Sequence, residues 1–179
     1  MTSPVAADRA RAVLEERARQ LARPLPEPDV AEETLDLLVF SRSEAAYAVE
    51  AARIAEVVRL PEPTPLPGSP PAVAGVVSYR GRVIAVVDVA ALLPPGDAEA
   101  RRWRFGVVAT AGDGAWLALL ADDVSGVVEV RSGDVRPGRE LDADRRDALV
   151  AGTTSALATI LDVEAIARDP RVATDREVE

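Results

Sequence analysis

The residues able to do chemistry in this chain are few in kind. Its 179 residues include no His, no Cys and no Lys, and all 21 basic residues are Arg. That removes the imidazole base of a Ser-His-Asp triad, thiolate nucleophiles, Schiff-base lysines and the lysine of a phosphate-binding loop. The usual zinc ligands are gone as well. Carboxylate, hydroxyl and guanidinium groups remain. Asp122 and Asp123 are adjacent, and on a strand adjacent side chains face opposite sides, so they do not form an acid/base pair. Asp142, Asp144 and Asp147 lie in a charged connector without the spacing of a calcium-binding loop, which reads as a solvated face. Asp88 stands before Val89-Ala90-Ala91-Leu92, and Asp162 before Val163-Glu164-Ala165; both read as N-caps of short helices. Trp103 sits among Arg101, Arg102 and Arg104, a pattern that fits an interface stack or an arginine collar at a strand start. No catalytic residue, cofactor or metal is expected.

One arginine is placed differently. In the stretch from Leu66 to Val89, a Pro-punctuated approach (Pro65, Pro67, Pro70, Pro71) leads to Gly75 and a Val-rich run. Arg80-Gly81 follows, then a second apolar run ending at Asp88. Two β-branched runs joined at Arg-Gly read as a hairpin over 75–80 and 83–88, with Gly81 free to take positive φ. An arginine at such a tip, with no catalytic partner types nearby, suggests a contact surface.

The elements around it are mostly short strands. They are expected at 35–41, 46–50, 56–60, 105–110, 115–120, 124–130 and 159–161, with Gly112-Asp113-Gly114 as a hairpin turn. A helical turn at 90–93 stops at Pro94-Pro95-Gly96, a polar connector covers 97–102, and a closing helix spans 163–168. Residues 5–22 read as a helix with a thin apolar stripe, and Pro24, Pro26 and Pro28 make an extended linker. The expected organisation is an arm over 1–34, a domain over 35–168 and a frayed tail over 169–179. Frequent turns between short strands indicate an all-β sandwich or barrel, and the residues alone leave that choice open.

Apolar residues make up 48% of the chain and aromatics 3%, so a core must be built from Val, Leu, Ala and Ile. The net charge of −9 opposes a phosphate backbone, and few aromatics exist to stack bases, so nucleic acid is not an expected partner. With no apolar run of transmembrane length and no signal-peptide pattern, direct membrane insertion is not expected and a cytoplasmic location is.

The stretch around Arg80 resembles the CheW family of chemosensory coupling proteins. The family pattern is a Pro-containing loop, a glycine before a Val-rich strand, Asn-Leu-Arg-Gly, and an apolar strand closing with Pro-x-x-Asp-Leu. Gly75, Val76, Val77, Arg80, Gly81, Val86, Val87 and Asp88 match it. Ser78-Tyr79 replaces Asn-Leu, and Ala85 replaces the Pro. The likeness runs from Leu35 to Ala167 through Leu38-Val39-Phe40, Ile54-Ala55-Glu56-Val57, Leu120-Ala121-Asp122-Asp123-Val124 and Ile160-Leu161-Asp162. The resemblance implies two SH3-like five-stranded barrels on a shared core, here divided as 35–93 and 104–162 at Pro94-Pro95. It implies a non-catalytic adaptor between the cytoplasmic tip of chemoreceptors and the regulatory domain of a CheA-type histidine kinase, located at receptor arrays. It carries a partner-binding role onto Ile54, Glu56, Gly75, Arg80 and Gly81, with Glu56 and Arg80 paired from neighbouring strands. The same family also fits a chemosensory branch controlling motility or development; a ligand-binding barrel or a carboxylate enzyme is the contrasting class. The segment 152–160 is shorter than the family's strand-turn-strand there, which predicts a truncated final hairpin.

Overall fold

Period-two alternation of apolar residues carries most of the architecture. The computed structural model describes residues 33–93, 103–112, 114–138 and 147–172. Its strands are β1 (Thr34–Arg42), β2 (Ala45–Glu50), β3 (Ile54–Arg59), β4 (Val73–Tyr79), β5 (Arg82–Val87), β6 (Phe105–Thr110), β7 (Trp116–Ala121), β8 (Asp123–Arg131), β9 (Val135–Pro137), β10 (Val150–Thr154) and β11 (Thr159–Leu161). Two short α-helices, α1 (Val89–Leu92) and α2 (Val163–Arg168), and 3₁₀ turns at Ala51–Arg53, Ser132–Asp134 and Asp147–Leu149 complete the described elements. Both begin at the expected caps. Asp88 Oδ1 accepts from the Ala90 N–H at 3.1 Å, and Asp162 Oδ1 accepts from Glu164 and Ala165 at 2.9 and 3.0 Å.

The strands form two sheets. One has five strands in the order β3-β6-β7-β5-β4, and the other has six in the order β8-β1-β2-β11-β10-β9. Two expectations are corrected here. The second sheet gains a sixth strand, the three-residue β9, whose Pro137 is tolerated because β9 lies at an edge. The sheets also do not divide at Pro94-Pro95. The chain changes sheet at the 3₁₀ turn Ala51–Arg53, between β2 and β3, and again at the Asp122 bend between β7 and β8. The strands on either side of the proline pair, β5 before it and β6 after it, belong to the same sheet. The change is set by long-range pairing, such as Thr34 opposite Arg131 in the β1–β8 ladder.

Alternation then sorts each buried strand onto two faces. Val107, Ala109, Leu117, Leu119 and Ala121 meet Leu38, Phe40, Tyr47 and Val49 of the other sheet in one shared core, which α1 and α2 join through Val89, Leu92, Val163 and Ile166. The opposite-parity residues Val108, Ala118 and Leu120 pack with Val77, Tyr79, Ile84 and Val86 inside the five-stranded sheet. Leu37, Ala48, Ala158 and Ile160 do the same inside the six-stranded sheet. The fold is therefore all-β with minor helix, two β-barrel-like subdomains on a common core.

The short segment 152–160 still makes a complete hairpin. β10 pairs with β9 and β11, and β11 continues in parallel onto β2. A tight turn replaces the missing length: Ala158 N–H donates to Thr154 Oγ1 at 3.1 Å, and Leu157 takes a positive φ of 63°. The tail is not frayed at its start, because Arg171 pairs with Asp169 and Val172 is buried. The compact unit begins at Glu33. The expected arm helix at 5–22, its Pro linker, the connector 97–102, Asp142 and Asp144 lie outside the described residues.

Candidate functional site

The β4–β5 hairpin forms where the sequence places it. Tyr79 stands opposite Arg82, leaving Arg80-Gly81 as a two-residue turn. Both turn residues have positive φ, 49° at Arg80 and 77° at Gly81, the geometry whose twist suits a tight hairpin. A Cβ on Gly81 would meet nothing within 4 Å, so its requirement is backbone freedom rather than space. Arg80 has no such freedom, and its left-handed backbone costs about 1 kcal/mol.

Arg80 is held by two side chains. Its Nη2 donates to Glu56 Oε2 at 2.8 Å, and Tyr79 Oη donates to the same oxygen at 2.6 Å. The Arg80 guanidinium also lies over the Tyr79 ring, 5.2 Å from its centroid. The expected Glu56–Arg80 pair therefore forms, but not between hydrogen-bonded neighbours. Glu56 is on β3 and Tyr79 on β4, the two edges of the five-stranded sheet, so the contact spans the seam where the sheet curls on itself. Beside it, Thr64 bridges to Val76 through two backbone hydrogen bonds of 2.8 and 2.9 Å. Tyr79 holds the Glu56 carboxyl below the ordinary range, with Arg80 reinforcing it, and the same hydrogen bond raises the Tyr79 hydroxyl. The Arg80 and Glu56 side chains remain 65% and 42% exposed, so the pair is open to a partner.

The other three expected site residues differ in kind. Gly75 is buried with φ 144°, and a Cβ there would lie 2.4 Å from the Thr64 carbonyl oxygen. Its function is to let the Pro-rich connection lie against β4. Gly81 is exposed at the tip. Ile54 is half-buried, packed against the shared core beneath the start of β3.

Two arrangements escaped the sequence reading. Arg42 is buried at 2% exposure, forked onto Asp88 at 3.0 and 2.5 Å and onto Asp122 at 2.8 Å. Asp122 also accepts from the Ser43 N–H at 2.8 Å, while Asp123 is exposed. Hydrogen bonding to Asp88 keeps the buried guanidinium charged against the opposing effect of desolvation. The network ties the end of β1 to the α1 cap and to the bend where the chain changes sheet. Its signal was the parity of Leu38, Phe40 and Arg42, which puts the arginine on the core face. The second arrangement is an aromatic pair, Tyr79 and Trp116, 5.7 Å apart, with Arg82 over the Trp116 ring at 5.5 Å. Trp103 packs half-buried against the interior of the same sheet, which is the strand-start reading.

Comparison with known proteins matches residues 36–171 to the CheW-like domain. A chemotaxis protein CheW of Rhizobium meliloti (strain 1021) is 28% identical over 109 residues, 61% of this chain and 70% of that relative. The crystal structure of the scaffolding protein TtCheW from Thermoanaerobacter tengcongensis superposes with a TM-score of 0.67. It is 20% identical, with 79% of this chain and 99% of that one covered, and it shows likeness of fold.

Proposed function

This chain belongs to the CheW-like domain family, a non-catalytic scaffold of chemotaxis signalling, and from that premise we propose that it couples the cytoplasmic tip of a chemoreceptor to the regulatory domain of a CheA-type histidine kinase. Contact with the receptor is made through Arg80 at the hairpin tip, oriented by Glu56 and Tyr79, with Gly81 next to it in the turn and Ile54 at the start of β3, two residues before Glu56. Gly75 acts behind the surface by seating the Pro-rich connection. The observation that carries this reading is the doubly anchored yet exposed guanidinium. A planar fork held in place loses little freedom on binding and reads a carboxylate or a row of carbonyls with fixed geometry. The working location is the cytoplasm, at receptor arrays; among the described residues no helix is long and apolar enough to cross a membrane.

The test is direct binding of the purified chain to a receptor cytoplasmic-tip fragment and, separately, to the kinase regulatory domain. Binding to both, with the receptor arm weakened by Arg80→Ala, is the expected result. Failure to bind either fragment would overturn the proposal.

A further inference from the structure

Near the hairpin, the positions that continue the interior parity of the five-stranded sheet change from aliphatic to aromatic and charged. The inward series runs on β3 from Val58, with Leu60 just beyond its end, to Glu56, on β4 from Val77 to Tyr79, on β5 from Ile84 to Arg82, and on β7 from Leu120 and Ala118 to Trp116. The four end residues are connected in space. Tyr79 donates to Glu56, Tyr79 meets Trp116, and Arg82 covers Trp116, while Arg80 of the turn covers Tyr79. The two guanidinium groups differ in one respect. Arg80 has the Glu56 carboxylate, whereas Arg82 is exposed and, among the described residues, has no carboxylate partner; its contact is the indole face. A positive charge without a local counter-charge is notable in a chain of net charge −9.

We infer that Arg82, positioned on the half-buried Trp116, is a second partner-reading residue and receives an Asp or Glu carboxylate from the bound protein. This rests on the receptor-binding reading above and deepens it, because it assigns the chemistry required on the other side. Stacking on the indole limits the rotamers of Arg82 before binding, so less freedom is lost when a carboxylate arrives. An acidic partner residue there completes a four-charge arrangement in which each guanidinium faces one carboxylate.

Two measurements on the full chain test this. The first is the salt dependence of affinity for a chemoreceptor cytoplasmic-tip fragment. Arg82→Gln is expected to weaken binding about three- to tenfold and to flatten the dependence on salt, while Arg82→Lys keeps part of both. Unchanged affinity and salt slope in Arg82→Gln, alongside weakened binding in Arg80→Ala, would overturn the inference and leave the receptor reading intact. The second needs no partner. With Trp103→Phe, emission comes from Trp116 alone, and iodide should quench it more strongly relative to caesium than it does after Arg82→Gln. Equal iodide-to-caesium ratios with and without Arg82 would also overturn the inference. A Trp103→Phe chain that shows the iodide preference but binds no receptor fragment supports anion acceptance at Arg82 and sinks the receptor reading.

Discussion

At Glu56 one carboxylate oxygen accepts from both Tyr79 and Arg80, and pH is the simplest way to disturb it. Its folded-state pKa is depressed, so its contribution is present above the ordinary carboxylate range and disappears as pH falls through the depressed value. Tyr79 is raised, so its contribution is present below the ordinary tyrosine range and disappears only as pH rises through the raised value. Partner binding should be flat around neutrality and fall at acid pH as Glu56 protonates and Arg80 is released, with the Glu56 carboxyl resonance followed by NMR. A Glu56 that titrates at its ordinary value, with Arg80 unaffected, would contradict this. Glu56→Ala and Arg80→Ala should leave stability little changed, since both side chains are open to solvent, while affinity falls. Arg42 is the opposite case. Arg42→Met leaves Asp88 facing the core without its fork, and a loss of about 3 kcal/mol is expected in urea unfolding. Adding Asp88→Asn, which keeps an oxygen for the Ala90 cap, should recover part of that loss; a double variant less stable than the single one would refute the charge argument.

Elements here depend on single backbone positions. The Pro-rich connection lies on β4 because Gly75 has no Cβ to strike Thr64. Gly75→Ala should therefore cost about 1–3 kcal/mol and displace the connection, which the Thr64 and Val76 amides would report by faster hydrogen exchange. Protection unchanged from wild type would show that the close approach is not needed. The β10–β11 turn has the reverse problem: Leu157 occupies a left-handed conformation while 80% exposed. Leu157→Gly removes that strain and no buried area, and thermal melts should show no loss and up to about 1 kcal/mol of gain. A clear drop in stability would mean that Leu157 packs on something in solution.

Across the whole molecule, the shared core makes the two sheets interdependent. β3, β4 and β5 lack the middle of their sheet without β6 and β7, which come after the proline pair. A fragment ending at Leu93 should therefore stay unfolded by circular dichroism and NMR, even though it contains the whole candidate site. A folded fragment would mean that the hairpin and its neighbours have a sufficient core of their own. In the other direction, a chain starting at Glu33 keeps the carbonyl that accepts from Ser132 and every described strand. It should melt within a few degrees of the full chain; aggregation would show that residues before Glu33 cover core surface.

Local chemistry was legible in the sequence because it acts over a few residues. The Arg80-Gly81 turn, the Asp88 and Asp162 caps and the separation of Asp122 from Asp123 all follow from backbone sterics and from the two-residue period of a strand. The absence of His, Cys and Lys excluded whole classes of catalysis before any fold was known. Resemblance along the chain then pointed to the Glu56–Arg80 pair. Tertiary structure alone decided that Tyr79 is the other anchor on Glu56, that Arg82 reaches Trp116, and that Arg42 finds Asp88 and Asp122. Those partners stand 23 residues apart for Tyr79 and Glu56, and 46 and 80 apart for Arg42 and its two carboxylates. Only strand order and sheet curvature bring such groups together. The same limit explains the misplaced boundary at Pro94-Pro95. A proline shows where hydrogen bonding stops locally, whereas membership of a sheet depends on which distant strand supplies the next row of partners.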